Sequence, residues 1–277
     1  MNQTLLGLEN LDPGFYIIFY TIISAFGLCI GSFLNVVICR LPTGESLTKQ
    51  NSHCVKCGTE IKWYDLIPVI SWIMLKGKCR SCGEKISPRY PIVELLNAII
   101  YIITFYFMDF NPQSIILCLF FSLLIAIGFI DWDTQEINLS LLIFGAALAI
   151  ISSILTSVLT DEISWFSRIT GALYISVPFF LIGQISGIII KKNTGEFIRG
   201  IELGDTILMA VAGFLIGGKA IVISAFIGII IAAICGMVNK HETGESKFAF
   251  GPFLSIGIFF GSLFGEKIID WWLSMFI

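Results

Sequence analysis

Six side chains in this 277-residue chain have the type and spacing to do chemistry. Cys54 and Cys57 form one C-x2-C pair and Cys79 and Cys82 a second, with 21 residues between the pairs. Each pair can turn two thiolates toward one ion, and four thiolates complete the tetrahedral shell that zinc prefers. Gly58 and Gly83 directly follow the second cysteine of each pair, where a tight turn is needed. The other two are acids: Asp131, in IDWDTQEIN, closes the third apolar stretch, and Asp205, in GIELGDTILMA, opens the sixth. An ionisable group at the centre of a membrane helix costs on the order of 3 kcal/mol and usually marks function. If the two helices pack together, their carboxyls cannot easily both ionise, so that one donates a proton while the other activates water. Taken singly, each aspartate also reads as a helix cap or an interfacial charge. Asp133 and Glu136 share the turn with Asp131, and the residues alone do not choose between Asp131 and Asp133.

The elements that must position these groups follow from composition. Hydrophobic residues make up 56% of the chain and charged residues 13%, with a mean hydropathy of +0.89; soluble domains carry about 25% charged residues. The chain is expected to be an integral membrane protein with partners in or at the lipid bilayer. A net charge of -3 without a basic run excludes a nucleic-acid partner. Stretches able to cross roughly 30 Å of hydrocarbon lie near 15–38, 91–108, 114–130, 137–158, 169–190, 203–217, 220–238 and 248–264. They predict an all-α polytopic membrane protein of about eight transmembrane helices, with a small cytoplasmic zinc-binding domain between the first and second. Only Gly217, Gly218 and Lys219 separate the sixth from the seventh. The tail from 265 to 277 carries Trp271 and Trp272 and suits an interfacial anchor. Glu9 and Asp12, without Lys or Arg, precede the first stretch, which is expected to be retained and not cleaved.

Counting Lys and Arg on alternate sides of these helices gives fourteen against three. The excess places the N-terminus outside and both C-x2-C pairs in the cytoplasm. A reducing cytosol keeps thiols free, which favours zinc over disulfides. Cys29, Cys39, Cys118 and Cys235 lie in or beside apolar stretches and read as packing residues. His53 is not needed as a ligand, because four sulfurs fill the shell. Three regions result: an N-terminal helix at 1–39, a zinc-binding domain at 40–90 and a membrane-embedded domain at 91–277. Gly213 and Gly217 form a G-x3-G face, expected to serve packing within the chain.

GSFLNVVICRLP, from Gly31 to Pro42, the two C-x2-C pairs, and YDLIPVISWIMLKGKCRSCGEKISPRYPIVELL, from Tyr64 to Leu96, carry a resemblance that covers nearly the whole chain. The protein resembles the bifunctional prepilin leader peptidase and N-methyltransferase family of type IV pilus, type II secretion and competence systems. The resemblance implies an aspartic peptidase of the intramembrane GxGD type, with its motif aspartates at Asp131 and Asp205. It also implies cleavage after the short basic leader of a prepilin or pseudopilin, commonly between Gly and Phe, and then methylation of the new amino terminus from S-adenosylmethionine. Three positions depart from the family pattern. Asn138 follows Ile137 where Pro is common, Glu202 replaces the first Gly of GxGD, and Ile207 replaces a frequent Lys. The loss of that Gly is expected to restrict the backbone beside Asp205.

Methyl transfer needs only an aligned, deprotonated amine, and no Rossmann Gly-rich fingerprint is present. The resemblance points to Asn35, Arg40, Arg89 and Glu94 as cofactor- or substrate-binding groups, although Arg residues at a boundary also snorkel and stop helices. With four thiolates filling its shell, the zinc is expected to be structural. Glu136, Glu196, Glu202, Glu242 and Glu245 can attract a basic leader or simply solvate the cytoplasmic face. Other readings are a GxGD membrane peptidase without methyl transfer, a non-catalytic zinc-loop scaffold, which leaves both aspartates without a purpose, and a transporter, which leaves the zinc loop without one.

Overall fold

In the computed structural model, residues 13–49, 51–159, 164–197, 199–243 and 249–275 are described. Glu9, Asp12, Glu245 and Lys247, and the side chain of Glu242, lie outside them. The described chain is helical: α1 (Pro13–Arg40), a short α2 (Ile70–Met74), α3 (Arg89–Met108), α4 (Pro112–Thr134), α5 (Leu139–Leu159), α6 (Trp165–Tyr174), α7 (Ser176–Thr194), α8 (Leu203–Ile216), α9 (Gly218–Thr243) and α10 (Gly251–Leu273). Among the described residues there is no β-strand, only two isolated bridges, His53 with Glu60 and Lys78 with Lys85.

Seven stretches in the described residues are long and apolar enough to cross a bilayer, with α6 and α7 together forming one of them. The expected eighth is α8, which has 14 residues. At 1.5 Å per residue it reaches about 21 Å, short of the roughly 30 Å of hydrocarbon. Its C-terminal carbonyls find a partner inside the protein. Arg168, 1% exposed on α6, donates from Nη1 to the carbonyls of Phe214 (3.3 Å) and Leu215 (3.2 Å) and from Nη2 to Thr156 Oγ1 at 2.6 Å. A cation is favourable at the negative end of a helix. Arg168 is therefore a buried helix cap, and not the loop charge that counting along the sequence suggests. The break between α6 and α7, at Ile175, falls three residues before Pro178, which has no N–H to give the carbonyl of Tyr174. The tail that carries Trp271 and Trp272 continues α10, with both indoles exposed in its last turn.

The chain divides into two compact units, 1–126 and 127–277. In the first, α1 packs along α3 because its glycines admit the neighbouring backbone. A Cβ at Gly27 would lie 2.7 Å from Ala98 Cα, and one at Gly31 would lie 2.7 Å from Glu94 Cα. Asn97 Nδ2 donates to the Gly27 carbonyl (2.7 Å), and Ser122 Oγ donates to Asn97 Oδ1 (2.7 Å), so the buried amide is satisfied at both ends. Gly31→Val is expected to destabilise the unit by about 1–3 kcal/mol or more, since overpacking here meets backbone and not a flexible side chain. Thermal unfolding in detergent checks this, and an unchanged midpoint would contradict the close packing.

In the second unit, α9 and α10 form a tight pair. A Cβ at Gly257 would come within 2.7 Å of Gly228 N, and one at Gly265 would lie 2.8 Å from Ala220 Cα. Gly213 packs against Gly171 of α6, so this glycine serves packing within the unit.

Candidate active site and metal centre

The two cysteine pairs sit on near-identical turns. Cys54 N donates to the Thr59 carbonyl (2.9 Å) and Gly58 N to the Cys54 carbonyl (2.8 Å); Cys79 N donates to the Glu84 carbonyl (2.8 Å) and Gly83 N to the Cys79 carbonyl (3.0 Å). Gly58 and Gly83 take φ of +67° and +72°, the left-handed backbone that a side chain disfavours. The turns bring the four Sγ atoms within 4.8 Å of one another, with Cys54 and Cys82 Sγ at 3.8 Å. Bonds of 2.3 Å to a tetrahedral zinc imply sulfur separations of about 3.8 Å. The cluster therefore fits a zinc ion. The Thr59 hydroxyl, 3.3 Å from Cys57 Sγ, and then its backbone N–H bring the Cys57 thiol down to about 6, so a thiolate is available at neutral pH.

Hydrogen bonds tie this loop to the helices. Arg40, at the end of α1, donates to the carbonyls of Ser46 (3.3 Å) and Asn51 (3.3 Å). Asn35 Nδ2 donates to the Tyr90 carbonyl (3.0 Å), and Glu94 Oε2 accepts from Val69 N at 2.7 Å. Arg89 opens α3, its backbone N–H bonded to Ser87 Oγ (3.2 Å). These are the four polar residues singled out from the sequence, and none of them lines the loop's groove of about 660 Å³. Asn51, Glu60, Lys62, Trp63 and Tyr64 do. Arg80 lies over the Tyr64 ring, 5.5 Å from its centroid, with two bonds to Asp65 of 2.6 and 2.8 Å that hold the Asp65 carboxyl below its ordinary range.

Asp131 and Asp205 both lie in the second unit, close enough for their charges to act on each other. Asp131 ends α4 and Asp205 is the third residue of α8; each is 5% exposed, and the Asp205 carboxylate lies within reach of the Asp131 and Glu202 charges. Asp133 is exposed. The N-cap of α8 is Glu202, and the Glu202 carbonyl accepts from the Thr206 N–H at 3.3 Å. Glu202 has φ -77° and ψ 159°, a conformation open to any residue, so replacing the first Gly of the motif does not restrict the backbone here. The retained Gly204 is the position that needs to be small: a Cβ there would lie 2.8 Å from Ile137 Cβ. Asn138 accepts from Ser140 N (2.9 Å) and caps α5, a role available to Asn where Pro is common. Glu136, Glu196 and Glu202 are exposed.

Sequence reasoning passed over Gly251. Its N–H donates to Asp131 Oδ2 at 2.8 Å, and a Cβ there would lie 2.9 Å from the same oxygen. The signal was a Gly-Pro pair opening an apolar stretch, where Pro favours the first helical turn.

A polytopic helical membrane protein with a buried pair of carboxyls and a four-cysteine knuckle is the class that this fold and these sites define. Residues 25–108 match the Bacterial Peptidase A24 N-terminal domain, and residues 118–237 match the Type IV leader peptidase family. The chain is 32% identical over 251 residues to the type 4 prepilin-like proteins leader peptide-processing enzyme of Escherichia coli O78:H11, covering 83% of this chain and 88% of that one. It is 28% identical to the prepilin leader peptidase/N-methyltransferase of Aeromonas salmonicida (96% and 98% covered), and 28% identical to that of Bacillus subtilis (92% and 98%). No solved structure matches it. The chain belongs to the type IV leader peptidase family.

Proposed function

We infer that the protein removes the basic leader from type IV prepilins or pseudopilins and N-methylates the residue this exposes. The observation that carries the reading is the buried pair Asp131 and Asp205, within reach of each other's charge, in a chain of this family. One carboxylate takes a proton from water as it attacks the scissile carbonyl, and the partner carboxyl protonates the leaving amine. The Gly251 N–H fixes the rotation of the Asp131 carboxyl. Residues 91–277 form the peptidase region and 40–90 the region associated with methyl transfer.

The membrane orientation that puts the N-terminus outside and the zinc loop and aspartates on the cytoplasmic side matches the substrate. A leader in the cytoplasm joined to an apolar helix in the bilayer places the scissile bond at the inner boundary. The exposed Glu136, Glu196 and Glu202 suit a basic leader.

Zinc, held by Cys54, Cys57, Cys79 and Cys82, is structural because four thiolates leave no open position. S-adenosylmethionine supplies a methyl group on its sulfonium to a deprotonated amine. The groove has the size of a small-ligand site. Glu60 suits ribose hydroxyls there, and Trp63 and Tyr64 suit an adenine ring or a sulfonium. Asn35, Arg40, Arg89 and Glu94 then serve the cofactor or substrate by holding the loop.

Mass spectrometry of a co-expressed prepilin tests the whole reading. Loss of the leader with a gain of one methyl group is the expected product; cleavage without methylation would leave a peptidase alone, and an unprocessed substrate would overturn the reading. Cys54→Ser or Cys79→Ser, or treatment with a strong chelator, is expected to disorder the loop and depress methylation more than cleavage, because structural zinc contributes roughly 10–16 kcal/mol to such folds. Equal loss of both activities would mean that the loop supports the entire enzyme.

A further inference from the structure

The loop between α1 and α3 is polar, with nine basic and four acidic residues from Arg40 to Arg89, yet it contains the run Leu66-Ile67-Pro68-Val69-Ile70-Ser71-Trp72-Ile73-Met74. Its apolar side chains are not spent on a core. Ile70 is 55% exposed, Ile73 62% and Met74 75%. Trp72 turns the other way, donating from Nε1 to the Ile86 carbonyl (3.2 Å) and lying over Gly77, where a Cβ would come within 2.9 Å of its ring. The short α2 therefore has an inner face, anchored by Trp72 and the buried Ser71, and an outer face that is apolar and bare.

Where that face sits is fixed by Val69. Its N–H donates to Glu94 Oε2, and Glu94 is the sixth residue of α3. At 1.5 Å per residue, Glu94 lies about 7.5 Å along α3 from Arg89. Val69 also takes φ +61°, a region that a β-branched residue adopts only when its surroundings impose it. The run is thus held beside the first turns of a membrane-spanning helix, not above its end. There the surface of α3 is itself apolar and bare, with Ile92 at 52% and Leu95 at 44% exposure. Lys62 precedes the run and Lys76 and Lys78 follow it, all exposed, where their ammonium groups can snorkel outward.

We propose that residues 66–74 form a hook that dips into the bilayer, with Ile70, Ile73 and Met74 among the acyl chains and the flanking lysines among anionic headgroups. Amphipathic segments with basic flanks bury their apolar face about 5–10 Å into this boundary, which matches the depth set by Glu94. The hook holds the four-cysteine knuckle against the membrane surface, where the new amino terminus of a membrane-embedded pilin emerges. The inference rests on α1 and α3 crossing the bilayer, and its test is independent of catalysis.

The test is photocrosslinking of the full chain, carrying benzoylphenylalanine at position 73, in vesicles of phosphatidylethanolamine and phosphatidylglycerol. Position 55, where Val55 is 91% exposed on the first cysteine turn, is the comparison. Phospholipid adducts are expected at 73, in several-fold excess over 55, with one metal ion per chain retained in both proteins. A second probe at position 74 is expected to repeat the result, so the test does not depend on one replacement folding. Absence of lipid adducts at both 73 and 74, equal labelling at 73 and 55, or adducts with a prepilin or a second copy of the chain in place of lipid would each overturn the proposal. Ile73→Asp adds a functional readout: methylation of a pre-cleaved pilin slows while leader removal continues. Loss of lipid labelling from the probe at position 74 in the Ile73→Asp chain, without that change, would overturn the hook's role in methylation.

Discussion

Asp205→Asn is expected to leave prepilin uncleaved while the chain folds, binds its metal and methylates a pilin supplied without its leader. Asn preserves the volume of the side chain and one of its two oxygens. It removes the ability to hold and release a proton. General acid–base groups contribute about 100- to 10,000-fold to rate, and in the mechanism proposed above both carboxyls are needed in the same step, so roughly 1,000-fold or more is expected for Asp205→Asn and for Asp131→Asn. The double variant should be little worse than either single one, because residues acting as a unit are not additive. Leader removal is read by mass, and metal content and pre-cleaved pilin methylation show that the protein is intact. Cleavage surviving in either variant would remove the pair from the mechanism, whereas Asp133→Asn, on an exposed position of the same turn, should have little effect.

The second large effect is expected at Gly251→Ala. An added methyl group would lie 2.9 Å from Asp131 Oδ2 and 3.2 Å from its Cγ, so either the carboxyl turns or α10 retreats, and the 2.8 Å bond from Gly251 N is lost in both cases. A misplacement of about 1 Å in a reacting group costs on the order of 100-fold. The fall should appear in kcat with KM nearly unchanged, because the change leaves Glu136, Glu196 and Glu202, the acids proposed for the leader, untouched. Gly128→Ala is the control on the same pair of helices: a Cβ there meets Pro252 Cα at an ordinary 3.5 Å. Equal activity of Gly251→Ala and Gly128→Ala would show that Asp131 does not depend on this contact.

The four cysteines are legible along the chain because a four-cysteine knuckle is a local object. C-x2-C with glycine next in line fixes the turn, and two such turns need only meet. The spans are legible as well, since a helix in hydrocarbon must satisfy its own backbone groups and so writes its length in apolar residues. The short α8 is the hardest to judge, because what lets it stop early is the guanidinium of Arg168, 46 residues before the Phe214 carbonyl it reaches. Glu202 illustrates the same limit. From the motif its presence reads as a restriction, but a residue's tolerance depends on the φ and ψ its neighbours impose, and these turn out to be ordinary.

By itself, the sequence determined the class of protein, the cysteines that cluster and the approximate number of spans, and through its resemblance it singled out the two aspartates. Only the tertiary structure decided that Asp131 and Asp205 are buried within reach of each other, that a backbone N–H from residue 251 holds one of them, and that an apolar run in a polar loop hangs beside the first turns of α3. Ligand type and helix length are set by neighbours along the chain. The distance between two carboxyls, and the depth of a hook, are set by packing between segments up to 120 residues apart, which local pattern does not encode.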